Sequence, residues 1–209
     1  MSVVRPRLSA EARRQSLLDA ARRVFGRRGY IATSIDEIVR EAGVSPPILY
    51  DHFASKRELY IELLARHTDE LISRVGRAAQ GQRGAEARLR ASYEAFFTLV
   101  EEEPFTSRMI AGEDGGDPQI AAAVRARDEQ GRHGVAEILG ATGRLYGGQP
   151  DQQRSIELLA QMLRHGLNGL AMWWHAHPNT PRAVLVERAM DLSWVGIRGL
   201  RAAARRHDK

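Results

Sequence analysis

Apolar residues recur along this chain at intervals of three and four, a spacing that lines them up on one side of successive α-helices. Strand-like alternation is nowhere sustained, and no fixed-period repeat appears. Ser9 is a plausible N-cap for the first helix, in which Leu17, Leu18, Ala21, Val24 and Phe25 share a side as far as Arg28. Gly29 is its expected stop, because glycine enters the left-handed conformation of a helix end at little cost. Ser34-Ile35-Asp36-Glu37 is a capping box, in which serine and glutamate each satisfy an amide of the other. Ile35, Ile38, Val39 and Ala42 then follow the i, i+3, i+4, i+7 template, and Gly43 ends the helix. Ser45 followed by Pro46 starts a third helix of about eight residues, or about 12 Å. Ser55 and Glu58 repeat the capping-box pattern and open a longer helix through Leu59, Leu63, Leu64, Leu71 and Val75.

Gly76 to Gly84 is rich in Gly, Gln and Arg and reads as a link. Beyond it, helices are expected over Ala85–Glu103, Pro104–Ala111, Pro118–Leu139, Asp151–Ala176 and Pro181–Ala204. Gly112–Asp117, Gly143–Gln149 and His177–Thr180 are loops by composition. Asp117-Pro118 and Thr180-Pro181 repeat the cap-then-proline start. The expected fold is all-α: an N-terminal three-helix unit over 1–57, a connecting helix over 58–79 and a helical body over 80–209.

Composition narrows the function classes. Cysteine is absent from the 209 residues, which rules out disulfides, thiolate metal sites and cysteine nucleophiles. The basic Met1–Arg7 stretch is followed by polar residues where a signal peptide needs an apolar core. No run approaches the roughly 18–20 apolar residues of a membrane span. A soluble, cytoplasmic protein is expected. Residues 1–60 hold eleven Lys/Arg against seven Asp/Glu, which is +4 of the chain's net +5. A basic end on a near-neutral body suits a polyanion-binding head. Glu-x-x-His, His-Glu-x-x-His, Gly-x-Ser-x-Gly and phosphate-binding glycine loops are all missing, and His175-x-His177 reads as a surface pair. Neither catalysis, a metal nor a cofactor is expected.

Two short helices joined by a tight turn can place the second in the major groove of duplex DNA. The stretch from Ser34 to Phe53 meets the physical requirements. Gly43 allows the sharp turn, Val44 plugs the angle, and Leu49 and Phe53 anchor the second helix inward. That leaves Pro46, Pro47, Ile48, Tyr50 and His52 for the outer surface. So short a helix is unstable alone and depends on its neighbours.

The run Phe25-x3-Gly29-Tyr30-x2-Thr33-Ser34-x3-Ile38-x3-Ala42-Gly43-Val44-Ser45-x3-Leu49-Tyr50-x-His52-Phe53-x-Ser55-Lys56-x2-Leu59-Tyr60 resembles the DNA-binding domain of the tetracycline-repressor (TetR) family. The resemblance is ungapped over roughly fifty residues once the first helix is included; the rest matches in architecture alone. It implies phosphate contacts from Thr33 and Tyr50, with His52 beside them and Lys56 at the next helix start. The expected DNA face is thus Thr33, Ser34, Ser45, Pro46, Pro47, Ile48, Tyr50, His52 and Lys56. Pro47 and Ile48 depart from the family's usual small residue followed by Thr or Ser, so no operator sequence is inferred. Arg5 and Arg7 are either a DNA-touching arm or an uninvolved tail.

The resemblance also implies a homodimer, a small-molecule effector held in the body, and repression relieved by that effector. The dimer seam is expected at Ile156, Leu159, Leu163, Gly166, Leu170 and Trp173 with Ala189, Leu192, Gly196, Gly199 and Leu200; an intramolecular core is the alternative. Tyr93, Phe96, Phe97, Met109, Leu167, Leu170 and Trp174 are candidate cavity walls, with His165 and Asn168 as polar anchors, unless they are ordinary core. An apolar or amphipathic ligand would suit such walls. An activator, or a DNA binder with no inducer, is the alternative function.

Overall fold

Eight α-helices make up most of the described residues, which are 9–103, 116–141 and 151–207 of a computed structural model, with side chains as far as 199. No strand occurs among them. α1 (Ala10–Ala32) starts where the Ser9 hydroxyl accepts from the Ala12 amide. Gly29, at φ 75° and ψ 172°, breaks the helical path, and the chain then completes one more turn. The expected stop is therefore a kink.

α2 (Ile35–Ala42) carries both halves of its capping box. Gly43 sits at φ 66°, ψ 37°, and nothing lies within 4 Å of a Cβ built there, so its requirement is conformational rather than spatial. α3 (Pro46–Tyr50) has five residues, fewer than expected. The His52 amide donates back to the Leu49 carbonyl over 3.0 Å, a tightened turn that ends α3 and carries Phe53 inward.

α4 (Lys56–Gln80) opens with Ser55 accepting from the Glu58 amide, while the Glu58 carboxylate accepts from Ala54 rather than from Ser55. The link expected from Gly76 is helical as far as Gln80, and Ala79 buries itself in that last stretch. Burial outweighs the weak helix propensity of one glycine. Only residues 81–84 separate α4 from α5 (Ala85–Glu102). α6 (Pro118–Gly140) begins with the Asp117 carboxylate accepting from Gln119 and Ile120 amides. α7 (Gln152–Ala176) and α8 (Arg182–His207) complete the body. The helix expected at Pro104–Ala111, Met109 within it, and Arg5 and Arg7 lie outside the described residues.

The buried side chains form two clusters. In the head, α1, α2, α3 and the first half of α4 bury Leu17, Phe25, Ile38, Leu49, Phe53 and Leu59. Each such side chain contributes about 1.5–3 kcal/mol of transfer free energy. Ile120 of α6, fully buried, joins this cluster although 120 lies far along the chain. In the body, Tyr93, Phe96, Phe97, Leu139, Ile156, Trp174 and Val186 close a second core among α5, α6, α7 and α8.

α4 and α6 lie side by side and run in the same direction. Arg57 pairs with Asp117 at 3.2 Å, Gln130 donates to Asp69 at 3.0 Å, and Gly134 passes Ile72. Both helices thus begin in the head cluster and end in the body.

Candidate functional site

α3 is short, proline-started and half exposed. Leu49 is fully buried, whereas Ser45, Pro46, Pro47 and Tyr50 face solvent and Ile48 and His52 are half-buried. Tyr50 is 53% exposed, a large aromatic phenol standing on the free side of a helix too small to stand alone. Ser45 makes no side-chain cap, so Pro46 at the first helical position sets the start of α3 by its fixed φ.

Two residues expected at phosphates are engaged within the protein. Thr33 is buried, and its hydroxyl donates to the Gly29 carbonyl at 2.7 Å. The Lys56 ammonium donates to the carbonyls of Tyr30 at 3.0 Å and Thr33 at 2.8 Å, and sits 4.4 Å from the Tyr30 ring centre. Burial lowers its pKa from the usual lysine value. Lys56 thereby ties the end of α1 to the start of α4, with Tyr30 held against Tyr60 at 4.9 Å. At the end of α1 the Tyr30 carbonyl accepts from the Thr33 amide at 3.4 Å as well as from Lys56, and the cation suits carbonyls left over at a helix C-terminus. The Ser34 hydroxyl is likewise occupied in capping α2.

The basic face of α1 is engaged as well. Arg23 and Arg27 both reach Glu41 at 2.7 Å, and Arg28 pairs with Glu37. Hydrogen bonds from Arg23 and Arg27 lower the Glu41 pKa, and the Ser34 backbone amide does most to lower that of Glu37. These pairs brace α1 against α2, so part of the head's positive excess is internal.

In the body, α4, α5, α6 and α7 enclose a cavity of about 400 Å³. Its walls include Leu71, Val75, Tyr93, Phe96, Val135 and Leu167, with His67, Arg127, Arg164 and Asn168 among the polar groups. Of the residues expected there, Tyr93, Phe96, Leu167 and Asn168 line it. The Tyr93 hydroxyl donates to Ser193 at 2.9 Å, and burial pushes its pKa up to about 12. Phe97 and Trp174 belong to the adjoining core, Leu170 packs against it, and His165 is exposed beside Gln161. The cavity's Arg127, Arg164 and His67 were missed from sequence. Arg164 had a signal: it falls on the same side as Ile156, Ala160 and Ala171, all buried.

The seam residues divide similarly. Ile156 is buried in the body core, and Leu159, Leu163, Leu170 and Ala189 pack against it. Leu192 and Gly196 face solvent, and the Leu200 side chain lies outside those described. Trp173 and Leu192, both expected in the seam, are exposed, as are the apolar Leu158, Met162, Val184 and Val195 of the same two helices.

A family model described as bacterial regulatory proteins of the tetR family matches residues 17–63, from within α1, through α2 and α3, into the first part of α4. The activator FasR of Mycolicibacterium smegmatis is 34% identical over 192 residues, covering 91% of this chain and 85% of that protein. The chain belongs to the TetR family. A second relative, the repressor KstR2 of Mycobacterium tuberculosis, is 36% identical over 90 residues, or 43% of this chain and 45% of that protein. Among solved structures, the regulator FadR of Bacillus subtilis in complex with stearoyl-CoA shares the fold with a TM-score of 0.72 at 16% identity. The match covers 87% of this chain and 98% of that one. As a TetR-family member the chain is a DNA-binding transcriptional regulator and not an enzyme. No helix among its described residues is long and apolar enough to cross a membrane.

Proposed function

We propose that this TetR-family chain is a cytoplasmic, homodimeric, sequence-specific repressor, released from a palindromic operator by an apolar or amphipathic ligand in the body cavity. One observation carries the reading. α4 and α6 each contribute walls to the cavity and side chains to the head core, Leu59 and Leu64 from α4 and Ile120 from α6. A ligand that prefers one arrangement of these two helices shifts the head with them, by no more than its difference in affinity for the two arrangements.

Tyr50 and the exposed prolines of α3 enter the major groove, and the half-buried His52 lies beside the phosphates. The second copy docks on α7 and α8 through Leu158, Met162, Leu192 and Val195, a surface whose exposure on one chain is costly. Two heads on one dimer read half-sites about 34–36 Å apart or a multiple of that.

A second reading, activation, is favoured by FasR, which aligns over most of the chain and is named an activator. The sign depends on where the operator lies relative to the promoter. Selection of bound genomic fragments, followed by transcription from the recovered promoter with and without protein, separates the two. A palindromic site whose transcription falls on adding protein supports repression, and a rise supports activation. Recovery of no enriched site overturns the specific-regulator reading.

A further inference from the structure

We propose that the cavity receives an amphipathic anion, its carboxylate or phosphate headgroup held by Arg164 beside Arg127 and its tail laid along the apolar wall. The inference rests on the cavity being a ligand site, as argued above.

Arg164 occupies a position that the buried side of α7 otherwise gives to apolar residues, and it is 8% exposed. One guanidinium nitrogen donates to Asp128 at 3.0 Å, and Arg127 reaches the same carboxylate oxygen at 3.1 Å. Two guanidiniums thus converge on one oxygen of a carboxylate that does not itself line the cavity. The buried Arg164 Nε–H finds no acceptor among the described residues. A buried donor on a charged group left unmet is expensive, and a planar guanidinium fits carboxylate and phosphate oxygens.

The surroundings favour an anion rather than a neutral polar group. His67, on the same stretch of wall, is pulled down to about 4 by burial and is neutral near pH 7, leaving the arginines to set the charge there. At the far end, by contrast, Arg88 donates to the carbonyls of Gln82 and Ala141. Gly131 of α6 makes room for the arginine stem: a Cβ there would stand 3.3 Å from Arg164 Cδ. The rest of the lining is mostly apolar, Leu71, Val75, Phe96 and Val135 among it, and suits a hydrocarbon tail, with Glu137 the carboxylate on the wall.

Calorimetric titration of the full chain with dodecanoate, dodecyl phosphate and dodecanol tests this. Either anion is expected to bind at least about 10-fold more tightly than the alcohol, as a charge-assisted hydrogen bond implies. Arg164→Met should lower dodecanoate affinity by about 10-fold or more and leave dodecanol unaffected, with Arg164→Lys between. The native comparison of acid with alcohol stands even where a variant fails to fold. Equal binding of alcohol and acid overturns the anion site but keeps the cavity as a ligand site, and binding of none overturns both. Dodecanoyl-coenzyme A separates a free acid from a thioester. If it binds more tightly than dodecanoate and is indifferent to Arg164→Met, the headgroup lies elsewhere and the proposal falls.

Discussion

Tyr50 and Lys56 show how two residues of one motif do different work. Tyr50 is more than half exposed, so Tyr50→Ala should weaken operator binding by about 10-fold while leaving the unfolding midpoint nearly unchanged. Lys56 holds two carbonyls inside the head, so Lys56→Ala should cost about 1–3 kcal/mol of stability as well as DNA affinity. Chemical denaturation alongside an operator titration distinguishes them, and an unchanged midpoint for Lys56→Ala would sink its bracing role. His67 supplies a second test at this scale. Its folded pKa, lowered to about 4 mainly by burial, lies below the ordinary 6.5, so the unfolded chain binds the extra proton first. Glu70 opposes that lowering, and Arg127, Arg22 and Arg74 reinforce it. Its contribution, about 3 kcal/mol at most, is complete above pH 6.5 and fades as pH falls toward 4. In His67→Leu, denaturation midpoints measured across that window should fall less than in the native chain.

At the scale of elements, the helix starts were legible because capping is local chemistry. Ser34 and Glu37 meet within one turn, and Asp117 finds the amides of Gln119 and Ile120. Gly43 belongs to the same class: its left-handed φ of 66° was expected from its place after Ala42. Gly43→Ala meets no neighbour, so it should cost only the conformational penalty of about 1–2 kcal/mol. A denaturant series showing no loss would contradict the role given to the turn. Lengths were less legible. α3 came out shorter and α4 longer than expected, because Phe53 and Ala79 are placed by burial against distant residues.

For the whole molecule, the exposed stripes on α7 and α8 overlap the expected seam at Trp173 and Leu192 and are otherwise offset from it. Periodicity marked both helices as apolar, but it did not tell which apolar positions face the chain's own core and which face outward. Met162→Glu or Leu192→Glu should therefore give a folded monomer with operator affinity reduced by about 10-fold or more. Ile156→Glu should instead unfold the body, since Ile156 is buried within the chain. Sedimentation with far-ultraviolet dichroism reads both, and dimers persisting in Leu192→Glu and Met162→Glu alike would move the interface elsewhere. The head differs, because nearly all its determinants lie within fifty consecutive residues.

Capping, turn glycines and the run from Phe25 to Tyr60 were enough for the sequence alone to determine the helical class and the helix-turn-helix, since each depends on contacts a few residues apart. Tertiary packing alone decided that Thr33 and Lys56 turn inward, that Ile120 joins the head core, and that the Arg164 Nε–H stands unmet at the wall of a mostly apolar cavity. Those outcomes depend on which helix lies against which, and residues brought together across the chain leave no periodic mark in the order of its amino acids.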